Sequence, residues 1–127
     1  MKSRRSFIGA LAVICGMLLT AANAVQAQSW SLLSHQPSVG VDICFLLTDA
    51  TVICQSKTDW YKLTPDLAGS YLHGTWSQVA SLPPGYEPHV YASAVLPDGR
   101  LVVVGGEYVS NGQIVLSNKV AIYDPVA

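Results

Sequence analysis

LPDGRLVVVGGEY (residues 96–108), with VAIYDP (residues 120–125) downstream, places this chain among all-β proteins. Ala92–Leu96 is a short apolar run. Pro97 then sets φ, Asp98 can hydrogen-bond its own backbone, and Gly99 tolerates φ > 0, so the chain is expected to reverse here. Leu101–Val104 is a β-branched run without polar alternation, which predicts a strand covered on both faces, as when sheets stack on sheets. Gly105-Gly106 is expected to end that strand, because a pair without Cβ atoms permits a sharp turn or the close approach of a neighbour. Ser110–Gln113 reads as a polar loop. Lys119–Tyr123 reads as a further strand, which Asp124-Pro125 stops because proline cannot donate to a ladder.

The same order of parts occurs earlier. In ICFLLTDATVICQ (residues 43–55) two apolar runs flank Thr48–Thr51, and WYKLTPD (residues 60–66) gives a strand ending in proline. Asp49-Ala50 lies 49 residues before Asp98-Gly99, close to a known repeat period of about 50 residues. The earlier unit lacks the glycine doublet.

Taken together, DGRLVVVGG, a loop, VAIYDP, and the tryptophan in the upstream GTWSQVASLP (residues 74–83) resemble the exported bacterial kelch-repeat proteins, whose repeats are similar to the propeller domain of galactose oxidase. The resemblance spans roughly residues 41–127. It implies an all-β fold of antiparallel four-stranded propeller blades, about one and a half to two of them, with units at 41–76 and 77–127. Gly105, Gly106 and Tyr123 would hold structural positions of the repeat, and Trp60 and Trp76 comparable packing positions in the first unit. Closed propellers have four to eight blades, and fewer than about three repeats are not expected to be stable alone. A partial propeller is therefore expected, completed by missing blades or by partner chains. The copper of galactose oxidase is held by tyrosines and histidines spread over the whole enzyme, and none of those positions is matched here residue by residue. The resemblance thus implies a propeller and a non-catalytic binding or structural module, with no cofactor. A truncated remnant of such a copper oxidase is the enzyme alternative.

The N-terminus carries an address. Lys2, Arg4 and Arg5 form a basic region, Phe7–Leu19 is largely apolar, and Ala22-Asn23-Ala24 and Val25-Gln26-Ala27 put small residues at cleavage spacing. Residues 1–27 read as a signal peptide cut between Ala27 and Gln28, followed by a lead-in segment at 28–40. The alternative is an uncleaved anchor on a subunit that completes a propeller with partner chains. Arg4-Arg5 within Ser3–Phe7 fits a twin-arginine signal as well as general secretion. Cys15 is not a lipidation site, because bulky Ile14 precedes it. The product is expected to be exported, to the periplasm or the medium.

Of seven basic and eight acidic residues, three basic ones and no acidic one lie within residues 1–27. The remainder carries four positive and eight negative groups, so nucleic acid, which needs a basic stripe, is an unsuitable partner. Cys44 and Cys54 face an oxidising compartment, and register decides whether they meet. A two-residue turn at Asp49-Ala50 puts them on opposite faces, whereas a three-residue loop at Thr48–Ala50 sets them directly opposite. Both remain open, since Ala50 disfavours the φ > 0 that either turn prefers.

No motif for catalysis stands out. His35, His73 and His89 are widely spaced and form no local metal pattern, and Glu87 and Glu107 read as solvated loop positions. Tyr91 and Tyr108 read as strand or edge aromatics. Tyr71, His73 and Trp76, with Tyr86, His89 and Tyr91, offer flat apolar faces with polar tips. Of these, Tyr71, Trp76, Tyr86 and His89 are the candidates for holding a sugar or a peptide. Sealing one blade against the next is their competing role.

Overall fold

A computed structural model describes residues 28–127. The basic pair Arg4 and Arg5, the apolar run and the Ala27 side of the proposed cleavage site lie outside the described residues. Among the described residues there is no helix, and eight strands form two four-stranded antiparallel sheets. The first sheet contains β1 (Cys44–Leu46), β2 (Val52–Ser56), β3 (Asp59–Thr64) and β4 (Thr75–Val79), paired in chain order. The second contains β5 (Val90–Val95), β6 (Leu101–Ser110), β7 (Gln113–Leu116) and β8 (Val120–Tyr123). In that sheet β6 is central. It pairs with β5 along one edge, and with both β8 and β7 along the other.

The β1–β2 and β5–β6 turns are built alike. Leu47 N–H donates to Thr51 O, Ala50 N–H to Leu47 O, and Thr51 N–H to the Asp49 carboxylate. Forty-nine residues later Leu96 N–H donates to Arg100 O, Gly99 N–H to Leu96 O, and Arg100 N–H to the Asp98 carboxylate. Both are three-residue loops whose third residue has positive φ: Ala50 at 63° and Gly99 at 89°. The aspartate one residue earlier closes each loop by accepting a backbone N–H two residues on, as short polar side chains do in turns. The three-residue loop settles the register of the first hairpin. Cys44 stands opposite Cys54 and the two form a disulfide with Cα atoms 4.1 Å apart.

The glycine doublet does not end its strand. Ala92 pairs with Val104 but Val90 with Glu107, so β6 sets two residues, Gly105 and Gly106, both with positive φ, against the single Tyr91 of β5 and thus carries one extra residue. This is a bulge, at which β6 exchanges β8 for β7 as its neighbour. A Cβ on Gly106 would come within 2.7 Å of Pro88 Cβ and of Val90 O, so the doublet also serves close approach. Ser110–Gln113 is likewise no loose loop. Asn111 and Gly112 have φ of 51° and 74° and form a two-residue hairpin turn, for which Asn-Gly is the favoured pair.

Strand alternation assigns the faces. Phe45, Ile53, Trp60 and Val79 of the first sheet pack on Tyr91, Val95, Leu101, Val103, Ala121 and Tyr123 of the second, with Leu47, Leu82 and Tyr86 completing the core. Ile53 is fully buried and Leu101 nearly so. The far face of the second sheet is also apolar. Ala92 and Ala94, Val102 and Val104, and Val120 and Ile122 line up across β5, β6 and β8 by register, with Val90 and Leu116 beyond the bulge. Much of it is open to solvent, with Ile122 54% and Leu116 79% exposed.

Candidate functional site

A groove of about 510 Å³ opens beside β8. Its floor is core: Trp60 from β3, and Leu101 and Val103 from β6. One side is Ala80–Pro83, the segment that leaves β4, and the other is β8 from Val120 to Tyr123 with Asp124 and Ala127 after it. Trp60 reaches the floor because β3 alternates it inward, beside Phe45 at a ring-centroid distance of 6.1 Å. Leu82 is fixed by its N–H, which donates to Thr58 O, and Ser81 by its hydroxyl, which donates to the Asp59 carboxylate. Among the described residues β8 has one strand neighbour, β6, so its outer edge is unpaired. Sequence reasoning did not find this groove. Its signal was the apolar Leu82-Pro83 directly after a strand, which on its own reads as an ordinary connection.

The four candidate ligand residues do not converge. Tyr86 is buried in the core with its hydroxyl donating to Gly105 O at 2.8 Å, so it braces the bulge. Burial also raises its pKa above the ordinary tyrosine value. His89 is exposed and joins the sheet through its backbone N–H, which donates to Glu107 O. Tyr71 and Trp76 belong to another region, where the lead-in segment straps the first sheet. Trp76 Nε1–H donates to His35 O, His35 Nδ1–H to Gly74 O, and Ser34 N–H to Leu72 O, while Ser34 Oγ lies 2.9 Å from His73 Nδ1. The Tyr71 hydroxyl donates to Ala50 O at 2.6 Å and so ties this strap to the β1–β2 turn. The polar tips of Tyr71, Trp76 and Tyr86 are therefore engaged by the protein itself.

The other sequence positions fall as follows. Trp60 is core, Trp76 pairs with Leu63 on the outer face of the first sheet, and Tyr123 packs inward against the core. Glu87 is exposed, and Glu107 sits next to the bulge. Among the described residues no three of His, Cys, Asp or Glu are grouped to hold a metal ion.

Two features were not legible beforehand. Gln55 is buried on β2 and its amide donates to Lys57 O and to Pro88 O, a bridge between the two sheets' flanking loops. The Tyr91 hydroxyl is buried and has no hydrogen-bond partner among the described residues. Burial, then the nearby Tyr86 and Asp42 charges, pushes its pKa up to about 12. An unpaired buried hydroxyl costs free energy and donates nothing to a ligand in solvent, so Tyr91 belongs to packing.

Comparison with protein-family models, with curated proteins and with solved structures yields no match.

Proposed function

We propose that this chain is an exported, partial propeller of the kelch type, a non-catalytic module that works by recruiting further β-structure or a protein or carbohydrate ligand. The observation that carries this reading is the offset between the two sheets. The shared turns align Val52 with Leu101 and Ile53 with Val102. Yet the first sheet buries Ile53 while the second buries Leu101, so each sheet uses the face that the other turns away. In repeat arrays, successive units stack in this manner, back to front. The far face of the second sheet, with Val102, Val104, Val120 and Ile122, then corresponds to the inward face of the first and is shaped to receive a third sheet. Its breadth of exposed apolar side chains exceeds the scattered ones that a monomer's surface needs no reason to carry.

Three measurements test it. Purified chain should bind a hydrophobic dye and associate with rising concentration in sedimentation velocity, and the pair Val104→Lys with Ile122→Lys should suppress both. A dye-silent, monodisperse wild type overturns the module reading. For export, mass spectrometry of the protein recovered outside the cytoplasm should find a mature N-terminus at Gln28, and an intact Met1 there would favour the anchored form.

A further inference from the structure

We infer that Asn111 is a site of spontaneous covalent modification: the backbone nitrogen of Gly112 displaces ammonia from its side-chain amide, and hydrolysis of the resulting succinimide leaves isoaspartate, which dismantles the β6–β7 arm and spares the rest of the second sheet. The inference stands apart from the module reading and needs none of its premises.

A comparison of the two sheets shows why this arm is separable. The shared turns, 49 residues apart, align Ser56 with Gly105. Ser56 pairs with Asp59, and Gly105 N–H donates to Lys119 O. The first sheet crosses between these partners in Lys57 and Thr58 alone, whereas the second inserts residues 106–118 there. The inserted arm is fastened at its base. Ser117 N–H donates to Gly106 O, the Tyr86 hydroxyl to Gly105 O, and His89 N–H to Glu107 O. Among the described residues, the arm beyond that base has only its own pairs, Tyr108 with Val115, Val109 with Ile114 and Ser110 with Gln113. A two-stranded hairpin by itself is marginal in water, and Ile114 is 68% exposed, so the arm opens locally while the core stays closed.

The turn at the tip supplies the reacting pair. Asn111 and Gly112 are exposed, and their positive φ angles are those of a type I′ turn. In that turn the ψ of the first residue carries the Gly112 nitrogen away from the Asn111 side chain, so attack waits for the arm to open. The Gly112 nitrogen then loses its proton to solvent base and forms a bond to Asn111 Cγ, while the Cγ–Nδ2 bond breaks and ammonia leaves. Glycine keeps that nitrogen unhindered, because it has no Cβ and open space surrounds it. Solvent water opens the five-membered ring. Cleavage at the former main-chain carbonyl gives isoaspartate, and cleavage at Cγ gives aspartate. One water enters for each ammonia released, and nothing is oxidised or reduced. Isoaspartate routes the backbone through Cβ and Cγ, longer by one methylene, and leaves a carboxylate on Cα. A two-residue turn has no slack for the added atom, so Ser110 and Gln113 lose their register. Asn118 is the internal control. The same reaction there needs the nitrogen of Lys119, which carries a side chain and whose N–H donates to Ser117 Oγ at 3.2 Å.

The experiment ages the full chain in warm, mildly alkaline buffer, beside an unfolded peptide of residues 105–120. Peptide mapping, with methyl labelling by a protein isoaspartate methyltransferase, follows conversion at each asparagine. Asn111 should convert mostly to isoaspartate, more slowly than in the peptide and faster than Asn118 in the same chain. Hydrogen exchange of the aged chain should rise in β7 and in β6 beyond the bulge, and stay as it was in β5, β8 and β6 before the bulge. Asn111→Gly keeps a favoured turn pair but has no amide to lose, so it should abolish both the label and the loss of protection. Asn111→Asp has the charge without the added backbone atom and should keep the arm protected before ageing, and early loss of protection in that variant overturns backbone length as the cause. An Asn111 that stays intact while the peptide converts, or that converts no faster than Asn118, overturns the site. Conversion that leaves β7 protection unchanged, or that spreads exchange through β5 and β8, overturns the separable arm.

Discussion

The two sheets share a turn and differ in how they are held. At the first turn the chain accepts Ala50 at φ 63° and compensates by a covalent clasp, Cys44–Cys54, and by the strap of Ser34 and His35 over the β4 side. At the second the same loop carries Gly99, which suffers no such strain, and an exposed Arg100–Asp98 ion pair at 2.6 Å, which contributes little in water. In exchange the second sheet carries a bulge, an extra hairpin and an apolar far face. The lesson is that one backbone plan tolerates quite different fastenings, and the fastenings tell which sheet is closed off and which is open.

The comparison breaks most readily at the bulge. Gly106→Val should destabilise by about 3–5 kcal/mol, since a side chain must intrude on Pro88, Val90 and Tyr91 and adopt a disfavoured φ of 101°. Urea unfolding should show it, with hydrogen exchange rising first in β5 and β6. Next is the clasp. Removing it as Cys44→Ala with Cys54→Ala should cost about 3 kcal/mol for so short a closed loop, and chemical reduction of the wild type should match it. Exchange should then rise first in β1 and β2, in the other sheet.

Tyr91→Phe should go the other way and stabilise by about 1 kcal/mol, because it deletes a buried hydroxyl without a partner. It also tests the alkaline limit. A tyrosine whose folded pKa lies near 12 against an ordinary 10.0 makes stability independent of pH below about 10 and lowers it as the pH climbs toward 12, because only the unfolded chain then ionises. Tyr91→Phe should therefore flatten the loss of stability measured over that window. The smallest effect is Ala50→Gly, which makes the first turn like the second. Relief of a left-handed alanine gains about 1 kcal/mol, and the added freedom of the unfolded chain takes back about 0.4–1 kcal/mol, so a rise of about 0.5 kcal/mol or less in urea unfolding is expected.

The sequence carried its strands legibly because local chemistry governs them. Pro97-Asp98-Gly99, the LVVV run and the offset of 49 residues are readable without a structure. Gly105-Gly106 misled because glycine marks both a strand end and a bulge, and only the partners at Pro88 and Val90 decide between them. Asn111-Gly112 lies in a polar run that reads as a loop, although the pair itself is the strongest short hairpin signal. The aromatic candidates failed for a different reason. Tyr71, Trp76 and Tyr86 advertise stacking faces, but whether a polar tip meets solvent or Ala50, His35 or Gly105 depends on contacts 19 to 41 residues away. The groove at β8 arises where two distant segments meet, and no local pattern encodes that.

The back-to-front use of the faces has a consequence for assembly. A patch that seeks a complement unlike itself cannot be satisfied by a twofold pairing, in which like must meet like. Contacts of that type close only if their rotation brings the last unit back to the first, and otherwise run on as a filament. On the proposed reading, Val104, Val120 and Ile122, which would receive a further sheet, are also the side chains through which copies of this chain would polymerise.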